Sequence, residues 1–402
     1  MKKSDILFIH HCRHSGGASR SLLNYLNDIR ERVNIYLLVP KGEIENTLKK
    51  LHLNFLAILG VSQFDNSEIG YYRGKRWLVL IRELFFTIFC LASLIKLKSK
   101  RFSAVHLNEL SLISLVIFVR FIFSCLIIVH VRTVQRPKKN FRSRIISYLI
   151  NNYVDQLICI DQTVLESLEV YEIKIPIKIV RNSLRKKEFN KTYIPYNSSD
   201  EITRVGMVSN FLIYKGIFDF YEAASILIKE RKISNIEFHL FGDNFREMTS
   251  LKGRLMQIFG FQLDVKSKLI DKISSDSLSS KFFLRGYEGR LEKVYENLDI
   301  LCFPSHLNAI GRPVIEASYF KIPSIVSLRH NKENDYIEND VSGIIIQEKN
   351  HIELANAIED LHTNKEKRLN MGISAYSHIE NLFSHKNNLN EFLEVFKSFK
   401  LV

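Results

Sequence analysis

The chain has 402 residues, 46% apolar and 25% charged, an ordinary globular composition that excludes a disordered or fibrous protein, and its length points to two or three domains. Its formal charge of +14 is confined to one half: residues 1–190 hold 30 Lys and Arg against 15 Asp and Glu, and residues 191–402 hold 27 against 28. Five widely spaced cysteines (Cys12, Cys90, Cys125, Cys159 and Cys302) form no Cys-x-x-Cys, which argues against a disulfide framework or metal site and for reduced core thiols in a cytoplasmic protein.

Met1 to Ser4 are followed by only a short apolar run, Ile6–His10, so no secretory signal is expected. That run reads as a first strand. Ser15-Gly16-Gly17-Ala18-Ser19 comes next, then a helical pattern over Arg20–Arg30. A glycine-rich turn between strand and helix lets backbone N–H groups approach a phosphate at Gly16 and Gly17, although such turns are also common connectors. Further strands are expected at Asn34–Val39, Asn54–Leu59, Ala104–Leu107, Leu126–His130 and Gln156–Ile160, with helices at Trp77–Lys96 and Arg142–Tyr153. This alternation predicts a parallel sheet covered by helices.

Two apolar stretches bear on membrane insertion. Leu84–Ile95 is 12 residues without a charge, too short to span a bilayer, and Ser111–Val131 is broken by Arg120 and reads as a helix followed by a strand. No transmembrane helix is expected. His130 and Arg132 end the fifth strand, at the carboxyl edge where parallel sheets bind ligands. His106, two strand-ends earlier, competes with His130 for a functional role.

The pattern lapses over Lys186–Asp200 and resumes with strands at Thr203–Val208, Glu237–Phe241, Phe282–Leu284, Ile300–Phe303 and Ser324–Val326. Two Rossmann-like domains in tandem follow. The expected boundaries are 1–183 for the first domain, 184–200 for a linker, 201–385 for the second domain and 386–402 for a terminal apolar-periodic helix. Residues 243–281 hold helical patterns and a Ser-rich stretch that fit this scheme less closely.

The most informative stretch is Ser305-His-Leu-Asn-Ala-Ile-Gly-Arg-Pro-Val-Ile-Glu316. A strand ends at Pro304, a polar loop carries Gly311 and Arg312, and Pro313 suits the first helical position. Unpaired N–H groups at such a helix start favour a phosphate, and Glu316, expected in the first turn, could accept bonds from sugar hydroxyls beside it. A capped surface helix with one dipole-compensating Glu fits the local pattern equally well.

This stretch resembles the donor-binding signature of glycosyltransferase family 4, the group 1 glycosyl transferases. These are retaining enzymes of GT-B fold, two Rossmann-like domains facing each other across a cleft, with a C-terminal helix crossing back to the first domain. The signature carries two Glu residues eight apart. Glu316 matches the second, which the resemblance assigns to the nucleotide ribose, whereas Asn308 stands where the sugar-contacting Glu is expected. Ile310, Gly311 and Arg312 fall in its diphosphate-facing loop.

Val205-Gly-Met-Val-Ser-Asn-Phe-Leu-Ile-Tyr-Lys-Gly216 resembles the family's diphosphate clamp, with Lys215 in place and Asn210 where an Arg is expected. A cation there would stabilise the charge on the leaving diphosphate; Arg312 is a candidate for the missing second charge. Gly286-Tyr287 matches a Gly-aromatic turn that receives the nucleobase, Gly16 and Gly17 match the loop opposite the donor, and His130 matches a His near donor sugar and acceptor. Arg132 could meet an acceptor phosphate bidentately.

The resemblance implies transfer of a hexose-type sugar from UDP or GDP to a lipid-linked saccharide in bacterial surface polysaccharide synthesis (O-antigen, capsule or exopolysaccharide). No cofactor or metal is expected, since there is no Asp-x-Asp and no Cys/His metal spacing. The basic first half includes Arg132, Arg136, Lys138, Lys139, Arg142 and Arg144 with no acid among them. With no nucleic-acid motif present, it suits an acidic membrane, placing the protein peripherally on the inner face of the cytoplasmic membrane. A sugar-nucleotide isomerase on the same fold and a non-catalytic subunit of a polysaccharide assembly complex remain as alternatives.

Overall fold

Period-two alternation of apolar side chains decides the first sheet. In β1 (Ser4–Ile9), Ile6 and Phe8 enter one core cluster while Leu7 and Ile9 enter another, so the strand is buried on both faces, as a parallel strand between helix layers must be. The structure is a computed structural model and describes residues 3–14, 17–68, 70–182, 202–244, 264–329 and 334–401. The chain divides into two units, residues 1–183 with 385–402 and residues 184–384. The expected linker 184–200 lies outside the described residues.

In the first unit, β1 is followed by α1 (Gly17–Ile29), β2 (Val33–Pro40), α2 (Ile44–Lys50), β3 (Asn54–Ile58), α3 (Trp77–Leu97), β4 (Ala104–Leu107), α4 (Val116–Phe123), β5 (Leu126–Val131), α5 (Phe141–Tyr153), β6 (Gln156–Cys159), α6 (Gln162–Glu166) and β7 (Ile177–Ile179). The sheet order is β3-β2-β1-β4-β5-β6-β7. The order reverses between β1 and β4, and the carboxyl ends of those strands form the crevice where open α/β sheets bind ligands.

The second unit repeats the plan with β8 (Thr203–Val208), α7 (Ile217–Ser225), β9 (Ile236–Phe241), α8 (Val265–Ser275), β10 (Phe282–Gly286), α9 (Leu291–Tyr295), β11 (Ile300–Phe303), α10 (Arg312–Tyr319), β12 (Ser324–Leu328), β13 (Gly343–Gln347), α11 (His351–Thr363) and α12 (Lys365–Leu382). Its order is β10-β9-β8-β11-β12-β13, with the switch point between β8 and β11. The last helix, α13 (His385–Ser398), belongs to the first unit. Phe392 and Phe396 are fully buried there, Phe392 stacks on Tyr25 at 4.7 Å, and Asn388 Oδ1 accepts from the Arg181 amide at 3.2 Å.

Three expectations need correction. The short strands β7 and β13 were not anticipated. β7 is a three-residue edge strand just after Pro176, and β13 is a brief apolar run entered through Gly343, each too short to show a period. In α10 the helix starts at Arg312, with Pro313 second, so Glu316 lies one turn inside rather than in the first turn. Lastly, the stretch Leu84–Ile95, expected to be too short to span a bilayer, is part of the 21-residue α3, which by length and composition alone is long and apolar enough to cross a membrane. The charged Arg82–Glu83 pair obscures this in the sequence because Glu83 is buried beneath Arg82.

Candidate functional site

At the second unit's switch point, the loop after β8 turns at Lys215-Gly216 and starts α7. Gly216 has φ +78, and a Cβ there would come within 1.8 Å of the Pro304 carbonyl oxygen, so only glycine lets this turn press on the loop after β11. The His306 amide donates to the Tyr214 carbonyl at 2.9 Å and fixes the two loops side by side. The Lys215 ammonium sits 5.5 Å from the centre of the Phe303 ring. Gly311 packs on the same ring, where a Cβ would approach within 2.7 Å. Phe303 therefore gathers the Lys-Gly turn and the start of α10 around one side chain.

Lys215 is half-buried, and it forms no ion pair or hydrogen bond through its ammonium among the described residues. Burial lowers its pKa to about 8, the response of an amine removed from water with no anion to compensate it. Asn210, where the clamp's second cation is expected, is an exposed loop residue whose carbonyl accepts from the Leu212 amide at 2.9 Å.

The α10 residues depart further from expectation. Glu316 is 5% exposed; its Oε2 accepts from the Tyr295 hydroxyl at 2.8 Å and its Oε1 from Arg312 Nε at 2.8 Å. The carboxylate expected to meet ribose hydroxyls is thus held by the protein through both oxygens. Burial and the adjoining Glu316 charge push the Tyr295 phenol well above its usual pKa, so it stays a donor. Arg312 spends its Nε on Glu316, so it is not the free second cation that the loop was expected to provide. Ile310 contributes its side chain to the core, which leaves only its backbone for a ligand.

Asn308 adopts φ +46, a left-handed conformation that Asn tolerates better than most side chains. Its Oδ1 accepts from the Arg329 amide at 2.9 Å, and its own amide donates to Glu348 Oε1 at 2.8 Å. Glu348 also accepts from Arg329 Nε at 2.8 Å. Asn308 therefore shapes its loop, and the carboxylate in its vicinity is Glu348, which has no sequence signature. Tyr287, after Gly286 at the end of edge strand β10, is 72% exposed, a placement open to a stacking base.

The first unit's switch point is a closed polar network. His10 Nδ1 meets Asn108 Nδ2 at 2.9 Å and His10 Nε2 meets Ser19 Oγ at 2.9 Å. Arg132 is 8% exposed and donates from Nε to Asn108 Oδ1 at 2.9 Å and from Nη1 to Asn182 Oδ1 at 2.9 Å, while Nη2 lies 3.2 Å from His130 Nδ1. The guanidinium expected to grip an acceptor phosphate is spent inside the unit. Burial lowers its pKa to about 10.

Glu109 Oε1 accepts from the Leu110 amide at 2.8 Å and Thr133 Oγ1 at 3.1 Å, yet burial outweighs these bonds and raises its pKa to about 7. His130 is completely buried; burial and then Arg132 hold its pKa well below the ordinary value, so it is a neutral support for Arg132 and presents no surface to a ligand. His106, its competitor, is equally buried, and the two rings lie edge-on at 5.6 Å. Gly17 opens α1 with no atom within 4 Å of where a Cβ would stand. Gly16 lies outside the described residues.

His10, His11 and Cys12 bring potential metal-ligand atoms within 4.8 Å of one another, a grouping that the spacing argument passed over. Both ring nitrogens of His10 are in hydrogen bonds, and His11 Nε2 lies 3.2 Å from Cys12 Sγ, so an ion would have to break existing bonds. The residues that sequence reasoning missed, His10, Asn108 and Glu109, share one signal. Each is a polar residue directly after β1 or β4, at the switch point.

Comparison with known proteins bears on the second unit most directly. Residues 194–378 match the model of the family described as glycosyl transferases group 1. The chain is 25% identical over 194 residues to the poly(ribitol-phosphate) alpha-N-acetylglucosaminyltransferase of Staphylococcus aureus; the match takes in 48% of this chain and 35% of that protein, so the chain spans about a third of the length of this curated relative. Among solved structures, Anabaena HepE in complex with UDP and glucose superposes with a TM-score of 0.74 at 16% identity, over 98% of this chain and 99% of that one. A glycosyltransferase from Rickettsia africae superposes with 0.74 at 15%, over 99% of each. These likenesses identify the fold as GT-B, two Rossmann-like domains with the terminal helix returned to the first.

Proposed function

From the match of residues 194–378 to the model of the glycosyl transferases group 1 family, we propose that the chain is a retaining glycosyltransferase of that family. It takes a hexose-type sugar from a UDP or GDP conjugate and transfers it to a lipid-linked saccharide of a bacterial surface polysaccharide. The observation that carries the reading is Lys215, a desolvated ammonium with no carboxylate partner among the described residues, set at the switch point beside the start of α10. One unit charge about 4 Å from a phosphate contributes roughly 4 kcal/mol at an effective dielectric of about 20, against about 1 kcal/mol for a helix start. Lys215 is then the principal contact of the diphosphate.

In this reading the glycosidic bond breaks toward the diphosphate, whose developing charge Lys215 and the Gly311–Arg312 amides stabilise. A donor phosphate oxygen takes the acceptor hydroxyl's proton as that hydroxyl attacks the same face of the sugar. The protein supplies position and charge, with no metal and no covalent nucleophile. Tyr287 stacks on the base. Glu316, oriented by Tyr295 and Arg312, exchanges one of these partners for ribose hydroxyls. The +15 excess of the first half draws the protein to the inner face of the cytoplasmic membrane, where a lipid-linked acceptor lies.

A second reading, a non-catalytic binding subunit, is favoured by one observation. Both Glu316 oxygens and the Asn308 side-chain oxygen are committed to internal partners. Thermal-shift titration with UDP, GDP, CMP and their sugar conjugates, in EDTA, on the chain and on Glu316→Ala decides first. Stabilisation by one nucleoside diphosphate, weakened by the substitution, supports the donor site; no shift with any nucleotide overturns it. Nucleotide binding without sugar release or transfer over a panel of lipid-linked saccharides would instead favour the binding subunit.

A further inference from the structure

Helix α3 has two opposite faces with opposite surroundings. At about 100° per residue, Glu83, Thr87, Cys90 and Leu94 fall on one side. They are tied to the unit: Glu83 Oε2 accepts from the Gln63 amide at 3.0 Å, Thr87 Oγ1 meets Ser62 Oγ at 2.8 Å, and the Ser62 amide donates to Cys90 Sγ at 3.3 Å. Cys90 and Leu94 are completely buried in the core. On the other side Leu78, Ile81, Leu84, Phe85, Ile88 and Ile95 are each between 51% and 64% exposed, a continuous apolar stripe along the whole helix with nothing against it among the described residues. Trp77, 50% exposed, begins it.

Charge frames the stripe. Arg73 and Lys75 precede it, and Lys96, Lys98, Lys100 and Arg101 follow it, all exposed. At the first end Arg142 lies 4.9 Å over the Trp77 ring and donates to the Tyr72 carbonyl at 2.6 Å, which brings the start of α5 and its 76% exposed Phe141 to the same edge. Apolar residues along the middle with cations at both ends suit a surface that is apolar beneath and anionic above.

We propose that α3 lies flat in the interface of an anionic bilayer, its stripe among the outer acyl segments and its terminal cations among the phosphates. This rests on the membrane-peripheral part of the reading above and adds the element, the orientation and the depth. A spanning orientation conflicts with the opposite face, since the loop at 60–63 and the core are bonded along the helix at 83, 87 and 90 and would have to enter hydrocarbon with it. Pairing of two copies through the stripe would leave the cations at each end without an anionic partner.

The chain contains one tryptophan, Trp77, and this makes the depth measurable. Full-length protein is mixed with phosphatidylcholine vesicles, with and without phosphatidylglycerol, carrying bromine either near the carbonyls or near the chain ends. The same is done with Phe85→Trp in a Trp77→Phe background. In a flat helix both positions are quenched by the shallow bromines alone, and only when phosphatidylglycerol is present. In a spanning helix position 85 lies about 12 Å deeper than position 77 and responds to the deep bromines, which overturns the proposal.

The triple variant Ile81→Glu, Leu84→Glu, Ile88→Glu should lose vesicle flotation at least about tenfold while keeping its nucleotide thermal shift. If it floats as well as the parent while Arg136→Ala, Lys138→Ala, Lys139→Ala does not, α3 is not the docking element and the peripheral reading survives without it. If the parent chain does not float at all, both fail. A lipid-free dimer that the triple variant converts to monomer would assign the stripe to a second copy and overturn the proposal.

Discussion

The two switch points have the same topology and opposite electrostatics. At the edge of β1 and β4, Arg132 is surrounded by Asn108, Asn182, His130 and Glu109, and its bonding capacity is used within the unit. At the edge of β8 and β11, Lys215 has only the face of Phe303 among the described residues. A parallel sheet provides a crevice in both places, but among the described residues only the second leaves its cation without a hydrogen-bond partner. The lesson is that a site is announced less by polar residues than by a polar residue whose partner is missing.

Lys215→Met is the sharpest way to break this contrast. It should abolish the stabilisation by nucleoside diphosphate and lower kcat/KM by about 10² to 10³, while the unliganded protein, relieved of a desolvated charge, melts no lower than the parent. A clear fall in Tm without nucleotide would mean that Lys215 has a structural partner after all. Arg132→Met probes the other edge, where the bonds are structural. Removal leaves the buried Asn108 and the half-buried Asn182 without their guanidinium donor and should destabilise the fold by about 3 kcal/mol in urea titration. If stability held and only acceptor KM rose, the network would be a binding site.

Tyr295→Phe should have a smaller effect. It removes the hydroxyl from Glu316 Oε2 and should cost about 1 to 2 kcal/mol of stability, with a modest loss of nucleotide affinity that isothermal titration would register. The smallest effect expected is in pH dependence. Because burial places Lys215 near 8 in the free protein and a bound diphosphate holds the proton on, affinity should be level below about pH 7.5. It should then weaken as pH rises through 8, approaching about tenfold per unit, and Lys215→Arg, which does not titrate there, should flatten the profile.

Much of the fold was legible because its signals are local. Buried parallel strands appear as short apolar runs, and turns and helix starts carry Gly and Pro; Lys215-Gly216 and Gly311-Arg312-Pro313 were recognisable on these grounds. The roles of Glu316, Asn308, Arg132 and His130 were not, since each depends on a partner distant in sequence: Tyr295, Glu348, Asn182 and a neighbouring strand end. The same holds for α3. Its helix was expected at Trp77–Lys96, but the Arg82–Glu83 pair confined the uncharged stretch to Leu84–Ile95, and that Glu83 is buried shows only in the packed structure.

The sequence by itself determined the tandem Rossmann-like plan, the position of the cationic turn and the concentration of positive charge in the first half. Those features follow from residue type and spacing. Tertiary structure alone decided which charges are compensated and which apolar faces are covered, because burial and hydrogen-bond pairing are set by what packs against a side chain. That difference separates Lys215 from Arg132, and the bare stripe of α3 from the face of the same helix that is built into the core.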